Sequence, residues 1–450
     1  MKERLFNEKS NIPLYVQLYD YFKNLISTGQ LNKGSKIMSI RRCCEEFNLS
    51  KTTVENAYLQ LAAEGYIISR PQSGYYVCEL DFSEKIEERQ FIDNNENKIN
   101  ENIKYDFASS SVDSESFDFS LWQRYIKSAL RQNDRLTSYG DFQGEADLRN
   151  SINQYISRYR SVVCSSENII IGAGTQNLLG ILCALLPEKL NIAFIGSSFE
   201  QGRAVFEDYG HTCFDYPDFP ENPEVMSKSN IKLIYISPSH FTKEGDILAI
   251  NRRLSLLRYA KKHNCLIIED DYDSEFRYYS KSIPSLQGID SGNSVIYIKT
   301  FSKLLIPSIR ISFMVLPLTL YEKYRQRGRY YNQTASKLEQ IALCQFIRDG
   351  HLNYQIRKQR KLFSQRSKVL CDEAKKVFGG IVKATVLPAG YLVRLEFSNS
   401  KTVEEIIKEA KIKGILLSTS SDKSESLILS CTKLRSEYYH EVFETLKTII

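Results

Sequence analysis

The chain has 450 residues, of which 42% are hydrophobic and 25% charged, and its formal net charge of +6 permits a nucleic-acid partner without requiring one. Its ten cysteines show no paired CxxC spacing and its five histidines no ligand pattern, so we expect two or three globular domains without a disulfide framework or a metal site. The N-terminus lacks the apolar segment of a signal peptide, and the longest apolar run, residues 178–186, is too short to cross a bilayer, so we predict a cytoplasmic protein with no membrane partner.

The first eighty residues predict three helices followed by a hairpin. Apolar residues recur at helical spacing from Leu14 to Leu25. Ser39 and Ser50 are placed as N-caps of a second and a third helix, and the strand-like runs YIISR and YYVCEL flank the turn PQSG. This order is typical of a winged helix-turn-helix, an α+β fold that we predict over residues 10–80.

The polar residues of this region suit double-stranded DNA. Free N–H groups at the start of the third helix favour phosphate, and short hydroxyls with one lysine can reach base edges in the major groove. The candidate DNA-binding residues are Arg41, Arg42, Ser50, Lys51, Thr52, Thr53, Arg70, Ser73 and Gly74. Residues 1–80 hold ten basic and eight acidic side chains, a weak excess that leaves a protein-binding helical domain as the alternative.

Residues 81–104 differ from the sequence on either side. They hold seven acidic residues, four basic residues and five asparagines, but no glycine or proline and few apolar side chains. This composition is typical of a solvated linker that is partly helical at most.

Beyond residue 105, apolar strands alternate with helical stretches. The strand candidates are NIII (168–171), IAFIG (192–196), LIYIS (233–237), CLIIE (265–269) and VIYI (295–298). The alternation predicts an α/β domain with a mostly parallel, doubly wound sheet. Ligands of such sheets bind beyond the carboxyl ends of the strands, so the residues after each strand are the candidate site.

The residues after the first two of these strands suit an anion and a flat ring. Gly174, Thr175 and Gln176 open a helix, where small residues let backbone N–H groups approach a phosphate. Phe199 follows the second strand and offers an aromatic face. Each feature has a plain structural explanation as well, namely a tight turn and a core aromatic.

The residues after the last two strands add the chemistry. They are Asp270, Tyr272, Thr300, Ser302, Lys303 and Arg310. A lysine can form a Schiff base with an aldehyde, and a carboxylate can hold a pyridine nitrogen protonated. A loop lysine or a capping aspartate is ordinary by itself, but together with the phosphate cradle the set predicts pyridoxal phosphate as cofactor.

Two long stretches carry a resemblance to known families. The segment from PLYVQLYDYF to SGYYV resembles the GntR-type regulators, with Met38 and Lys51 at positions where proline and arginine are usual. Residues 105–450 resemble the PLP-dependent fold type I aminotransferases, most closely those of the MocR/GabR subfamily, in which such a domain follows a GntR-type domain. The matching stretches are YGDFQGEADLR, IGAGTQN, EDDYDSEFRYY, IKTFSKLLIPSIR, LEQIALCQFIRDGHLNYQIRKQRKLFSQR and PAGYLVRLEF.

The resemblance implies roles for the candidate residues. Lys303 would be the catalytic Schiff-base lysine, Asp270 the partner of the pyridine nitrogen and Tyr272 a neighbour of the ring oxygen, with Phe199 stacked on the ring. The residues implied around the phosphate are Gly174, Thr175, Thr300, Ser302 and Arg310, with Tyr139 reaching the phosphate of the partner subunit. The resemblance also implies a head-to-tail homodimer, a large subdomain over about 135–315 and a small one over about 320–450.

The chain departs from the family where substrates are held. The stretch PSHFTKEG (238–245) stands where the usual family stretch reads like PSHQFPTG, so the polar and proline positions beside the ring are altered. Ile428 stands where family members that bind amino acids carry an arginine for the substrate carboxylate. Gln201 stands where a second such arginine would be. Arg394 and Arg435 are the arginines that could substitute.

These departures separate the possible functions. We expect a PLP-dependent, DNA-binding transcription regulator that senses pyridoxal phosphate or a small effector through an aminotransferase-like domain, and not an enzyme. The alternative is an active aminotransferase with an accessory DNA-binding domain. An interaction protein with a dead pocket is disfavoured because Lys303 and Asp270 are both present.

Residues 321–368 are strongly basic, with twelve Lys or Arg and three Asp or Glu. A solvated helical face explains this charge. The alternative is a further contact with the DNA backbone through Arg325, Arg327 and Arg329.

Overall fold

The computed structural model describes residues 12–79, 103–108, 111, 113–196, 199–277, 283–397, 401–419 and 426–450. Most of the predicted linker, residues 81–102, and two serines before Phe199 lie outside these ranges. The chain divides into two compact units, Met1–Asn97 and Lys98–Ile450. No helix among the described residues is long and apolar enough to cross a membrane.

The first unit has the predicted order of elements. It contains α1 (Leu14–Ser27), α2 (Ile40–Phe47), α3 (Lys51–Ala63), β1 (Ile67–Arg70) and β2 (Gly74–Val77). The two strands pair antiparallel, and the three helices enclose a small apolar core beneath them. The winged helix-turn-helix prediction is confirmed.

Two serines set the helix starts as the sequence predicts. The Ser39 side chain accepts from the Arg42 N–H at 3.3 Å, and that of Ser50 accepts from the Thr53 N–H at 3.2 Å. Each bond satisfies a backbone donor that the first turn of a helix leaves unpaired.

The second unit begins with alternating strands and helices. In chain order these are β3 (Tyr105–Asp106), α4 (Phe119–Leu130), α5 (Asn133–Leu136), α6 (Ala146–Arg160), β4 (Ile169–Gly172), α7 (Thr175–Cys183), β5 (Asn191–Ile195), α8 (Glu200–Asp208), β6 (Thr212–Tyr216), β7 (Ile231–Ile236), α9 (Ile250–His263), β8 (Leu266–Asp270), α10 (Leu286–Asp290), β9 (Val295–Thr300) and β10 (Ser312–Val315).

The rest of the unit is mainly helical, with a second sheet. Its elements are α11 (Leu318–Gly328), α12 (Lys337–Arg348), α13 (His351–Phe378), β11 (Val382–Val386), β12 (Leu392–Phe397), α14 (Val403–Ile412), β13 (Ile415–Leu416), β14 (Ser418–Thr419), β15 (Ser426–Ser430) and α15 (Tyr439–Lys447).

A seven-stranded sheet organises this unit, in the order β4-β10-β9-β8-β7-β5-β6. The five strands from β9 to β6 are parallel, whereas β10 runs antiparallel to both of its neighbours. The central strands are buried on both faces, which explains their continuous apolar runs. A separate antiparallel sheet has the order β11-β12-β15-β14.

Candidate cofactor and DNA sites

A cavity of about 640 Å³ lies at the carboxyl ends of the central parallel strands. Loops after β7, β8 and β9 line it on one side, and the four-stranded sheet lines it on the other. The lining residues are Phe107, Ala108, Ser111, Thr175, Phe199, Gln201, Ser237, His240, Lys243, Asp270, Tyr272, Thr300, Ser302, Lys303, Pro307, Tyr391, Leu392, Ser418, Ile428 and Ser430. Seven of the residues predicted for the cofactor are therefore brought to one cavity: Thr175, Phe199, Asp270, Tyr272, Thr300, Ser302 and Lys303.

Lys303 is buried at the cavity wall, just past the end of β9. Its amine donates a hydrogen bond of 2.7 Å to the Tyr391 hydroxyl and lies 3.7 Å from the Asp273 carboxylate. Burial lowers the pKa of the Lys303 amine, although Asp273 opposes the shift. A lowered pKa leaves more of the amine uncharged, the form that acts as a nucleophile.

Asp270 is the last residue of β8 and is also buried. The Tyr235 hydroxyl donates to its carboxylate at 2.5 Å. Burial raises the pKa of Asp270 to about 7, and the bond from Tyr235 works in the other direction. A carboxyl group held so far from water gains most from a cationic partner, such as a protonated ring nitrogen.

Aromatic side chains lie around these two groups. The Phe199 ring stacks on Tyr235, with ring centroids 6.0 Å apart and an interplanar angle of 23°. The Lys303 amine lies 5.1 Å from the centroid of the Tyr272 ring. Phe199 and Tyr272 both line the cavity, so flat faces are available to a bound ring.

The residues predicted to cradle a phosphate lie at the start of α7. Gly174 precedes the helix with φ of +100°, and a Cβ atom there would lie 2.4 Å from the Arg310 guanidinium. Only glycine lets this arginine pack against the turn. Thr175 opens the helix, where unpaired N–H groups and a positive dipole end favour an anion.

Three of the residues predicted for the cofactor are exposed and do not line the cavity. Gln176 is exposed and donates to the Gln201 carbonyl at 3.4 Å, while Arg310 is exposed and donates to the Ala173 carbonyl at 3.4 Å. Tyr139 is 93% exposed and does not line the cavity. Its proposed role needs a partner subunit, and it stays a prediction.

Sequence reasoning missed a hydrogen-bonded chain behind Lys303. Tyr391 donates to Asp273 at 2.6 Å, and the same oxygen lies 2.6 Å from Nδ1 of His240. Although burial acts to raise it, His240 and Lys303 keep the pKa of Asp273 below its usual range. The five acids of EDDYDSE were the available signal, but the sequence does not tell which of them face the cavity.

A second buried cluster supports the loop after β8 from below. Asp271 pairs with Arg160 at 2.8 Å, and Glu275 pairs with Lys299 at 2.8 Å. Burial opposes ionisation of Asp271, but Arg160 and Lys299 hold its pKa below the usual range. A buried pair of this kind fixes geometry because removing one partner leaves an unpaired charge.

The arginines considered for a substrate carboxylate are occupied elsewhere. Arg394 lies 3.6 Å from Glu244, and Arg435 lies 3.3 Å from Glu115. Ile428 and Gln201 both line the cavity, as the resemblance implied for their positions. No arginine occurs among the described residues that line it.

In the first unit, some of the residues predicted to contact DNA bond to neighbouring side chains, and others are exposed at the start of α3. The Ser50 and Thr53 hydroxyls lie 2.8 Å apart and bond to each other, whereas Lys51 and Thr52 are exposed at the start of α3. Arg41 is exposed and pairs with Glu45 at 3.1 Å. Lys51 pairs with Glu55 at 3.4 Å, and the roles of Lys51 and Thr52 as base contacts stay predictions.

The hairpin places the remaining candidates near its turn. Arg70 stacks on Tyr76, with its guanidinium carbon 4.5 Å from the ring centroid, and the Ser73 hydroxyl lies 2.6 Å from that of Tyr76. Gly74 begins β2 with φ of +106°. Arg42 is exposed on α2.

The basic stretch 321–368 is not one surface. Arg366 is buried and pairs with Asp113 at 2.6 Å, and Arg360 donates to the Glu275 carbonyl. Arg325, Arg327 and Arg329 are exposed. Both explanations of their charge, a solvated face and a DNA contact, remain predictions.

The residues at the cavity fit pyridoxal phosphate. The Lys303 amine, whose pKa is lowered by burial, suits an aldehyde, and the buried carboxyl of Asp270 suits a protonated pyridine nitrogen. The glycine turn before α7 leaves room that a Cβ would fill, next to a guanidinium. Each requirement of the cofactor thus has a counterpart among the described residues.

Comparisons with known proteins agree with this geometry. Residues 14–77 match the family of bacterial regulatory proteins of the gntR type, and residues 103–421 match aminotransferase class I and II. The HTH-type transcriptional regulator YdeL of Bacillus subtilis is 36% identical over 91% of this chain and 89% of its own length. The probable rhizopine catabolism regulatory protein MocR of Rhizobium meliloti is 27% identical over 91% and 87%.

Solved structures resemble the second unit. An archaeal alanine:glyoxylate aminotransferase has a TM-score of 0.68 and 20% identity over 77% of this chain and 90% of its own. A kynurenine aminotransferase of Pyrococcus horikoshii has a TM-score of 0.66 and 19% identity over 77% and 91%. These likenesses show the fold.

Fold and site together define a DNA-binding transcription regulator with an aminotransferase-like domain. The chain belongs to the MocR/GabR subfamily of GntR-type regulators.

Proposed function

We propose that this regulator binds pyridoxal phosphate covalently at Lys303 and adjusts its binding to an operator according to what occupies the cavity, either the cofactor itself or the cofactor with a small effector. The observation that carries the proposal is the convergence of Lys303 and Asp270 on one cavity, both buried, with pKa values displaced toward their neutral forms.

The chain's own groups have separable tasks. The bound cofactor would supply an aldehyde and an electron-withdrawing ring. Lys303 presents an amine, Asp270 holds a proton at the ring nitrogen, and Phe199 with Tyr272 orients the ring. The start of α7 would receive the phosphate, with Thr300, Ser302 and Arg310 nearby and Gln176 at the mouth.

Sensing rather than turnover is supported by the cavity wall. A bidentate guanidinium is the strongest anchor for a carboxylate, and the described lining holds none. The second candidate function, transamination, is favoured by one observation, that Lys303 and Asp270 are both in place. Turnover of common amino donors with a keto acid would support that candidate, and so would tight calorimetric binding of a common α- or γ-amino acid.

The proposal includes a cytoplasmic homodimer, with a DNA-binding domain over 10–80 and a cofactor-binding domain over 105–450. Tyr139, which is exposed, would reach the partner's phosphate. Sedimentation of the purified protein tests the dimer.

The decisive experiment is the visible absorption spectrum of the purified protein before and after borohydride. Lys303→Ala is compared with Lys243→Ala, a matched control because Lys243 lines the same cavity. We expect a band that borohydride removes in the native protein and in Lys243→Ala, but no such band in Lys303→Ala. A colourless native protein that gains no band with added pyridoxal phosphate would refute the proposal.

A further inference from the structure

Tyr391 is the side chain closest to the Lys303 amine among the described hydrogen-bond partners, yet it comes from a different sheet. It lies just before β12 of the four-stranded sheet, 88 residues from Lys303 in the chain, and the bond between them is 2.7 Å. Its ring is also 4.3 Å from the amine, measured to the centroid. Lys303 therefore contacts one phenol through both the ring and the hydroxyl.

The direction of this hydrogen bond is fixed by its neighbours. The Tyr391 hydroxyl has a single proton, which it donates to Asp273 at 2.6 Å, and burial raises the pKa of Tyr391 so that the phenol keeps that proton. Asp273 is held as an acceptor because His240 lies 2.6 Å from the same oxygen. The remaining lone pairs of the phenol can only accept, so Lys303 must be the donor.

Because Lys303 donates this hydrogen bond, the lone pair of its amine stays available. An uncharged amine has two N–H bonds and one lone pair, and only the lone pair attacks a carbonyl. Because an N–H bond is engaged by Tyr391, the lone pair is left for the cavity. A phenol whose proton pointed at the amine would cover the lone pair instead.

We propose that Tyr391, locked by Asp273 and His240, is a positioning residue that orients the Lys303 amine for attack on an aldehyde in the cavity. This inference rests on the proposed covalent binding at Lys303. In that step the amine and the aldehyde join with loss of one water, so that both hydrogens of the uncharged amine leave with the carbonyl oxygen. No oxidant or reductant is required, and Tyr391 keeps its own proton throughout.

The test is the rate at which cofactor-stripped, full-length protein captures pyridoxal phosphate, followed by absorbance from pH 6 to pH 10. Tyr391→Phe keeps the ring and removes the hydroxyl. Tyr155→Phe is the matched control, because it removes a buried phenol bonded to a carboxylate, Glu275, at the same 2.6 Å, but away from the cavity. We expect the high-pH plateau of the rate to fall roughly 10- to 100-fold in Tyr391→Phe and less than about twofold in Tyr155→Phe.

The pH profile separates orientation from protonation. Where the rate no longer rises with pH the lysine is uncharged in both proteins, so a lower plateau reports orientation. A plateau equal to that of the native protein, or a loss confined to low pH, would overturn the proposal. Equal capture by Lys303→Ala would instead refute the proposed function.

A cofactor-free reaction and a second variant provide two further tests of the same orientation. Acetylation of Lys303 by acetic anhydride in the stripped protein, quantified by peptide mass spectrometry, needs no cofactor and should show the same lower plateau. If Tyr391→Phe fails to fold, Asp273→Asn replaces it, since an amide N–H facing the phenol would no longer hold the phenol proton. An unchanged plateau in Asp273→Asn would contradict the proposed lock.

Discussion

Asp270 links the cofactor site to the pH dependence of stability. Burial raises the pKa of its carboxyl from 3.8 to about 7, so the native protein keeps this proton over a range in which the unfolded chain releases it. The stabilisation is therefore present at low pH and is lost as the pH rises toward 7. Asparagine cannot ionise, so the stability of cofactor-free Asp270→Asn should not fall in this way. We expect its free energy of unfolding, relative to that of the native protein, to increase by roughly 2–3 kcal/mol from pH 5 to pH 8.

Urea denaturation at pH 5 and pH 8 measures this difference. Asp208→Asn, at the exposed end of α8, controls for the loss of an acid. Parallel pH profiles for Asp270→Asn and the native protein would show that the carboxyl is ionised at little cost in the folded state.

Gly174 and Gly210 form a matched pair for testing the phosphate cradle. Both have positive φ, +100° and +82°, but a Cβ at Gly174 would meet Arg310 whereas one at Gly210 would meet nothing within 4 Å. Alanine strains the backbone at both sites, by roughly 1–3 kcal/mol at Gly174, whose φ of +100° and ψ of 167° lie in a region almost restricted to glycine. Only Gly174→Ala should also weaken pyridoxal phosphate binding, by about tenfold or more, because it moves the guanidinium from the start of α7.

Fluorescence titration with pyridoxal phosphate compares the two variants. Inorganic phosphate as a competitor then reports on the cradle separately from the lysine. Equal affinity in Gly174→Ala and Gly210→Ala would place the phosphate elsewhere.

At the scale of one element, the first turn of α3 contains one hydroxyl that caps the helix and another that is predicted to contact DNA bases. Ser50 caps the helix and bonds Thr53, whereas Thr52 is exposed. We expect Ser50→Ala to destabilise the first unit by about 1 kcal/mol, because a capped N–H loses its acceptor. Thr52→Ala should leave stability unchanged and weaken binding to an operator selected from random-sequence DNA by roughly 1 kcal/mol.

Chemical denaturation and fluorescence anisotropy on the selected DNA measure the two effects. Lys51→Ala provides a further comparison, since its loss should also reduce the salt dependence of binding if it contacts phosphate. A stability loss in Thr52→Ala, with no change in DNA affinity, would exclude it as a contact.

The elements also show where sequence reasoning works and where it stops. All five predicted strands of the large sheet are present. Four of them, β5, β7, β8 and β9, are interior parallel strands with continuous apolar runs, and β4 is an edge strand whose four residues are all buried. Strand β6 was missed since it is an edge strand with two exposed residues, and β10 since its four residues follow the lysine loop without a helix between. Strands β6 and β10 therefore lack the long buried run between helical stretches that identified the other five.

The same limit applies to the site. Residues adjacent to strand ends, such as Asp270 and Lys303, could be predicted because the topology brings strand ends together. Tyr391 and His240 could not, because their place depends on how the four-stranded sheet and the loop after β7 pack over the cavity. Long-range packing of this kind leaves no local spacing in the sequence.

At the scale of the molecule, the cavity lies within one of two compact units, Lys98–Ile450, as does the single tryptophan, Trp122. Trp122 is buried in α4 and packs edge-on against Phe346 at 5.8 Å, so its fluorescence reports unfolding of that unit. A ligand stabilises the unit that binds it and leaves an uncoupled unit unchanged. We expect pyridoxal phosphate at 100 times its Kd to raise the free energy of unfolding reported by Trp122 by about 2.7 kcal/mol.

Hydrogen exchange in the same samples follows the other unit. Peptides from residues 14–77 should exchange at the same rate with and without the cofactor if the first unit has its own stability, because the helices and the hairpin there enclose a separate core. In Lys303→Ala, most of the increase in unfolding free energy that Trp122 reports on adding the cofactor should be lost. Protection of α1 to α3 on adding the cofactor would mean instead that the stabilities of the two units are coupled even without DNA. Occupancy of the cavity would then change the stability of the DNA-binding unit directly.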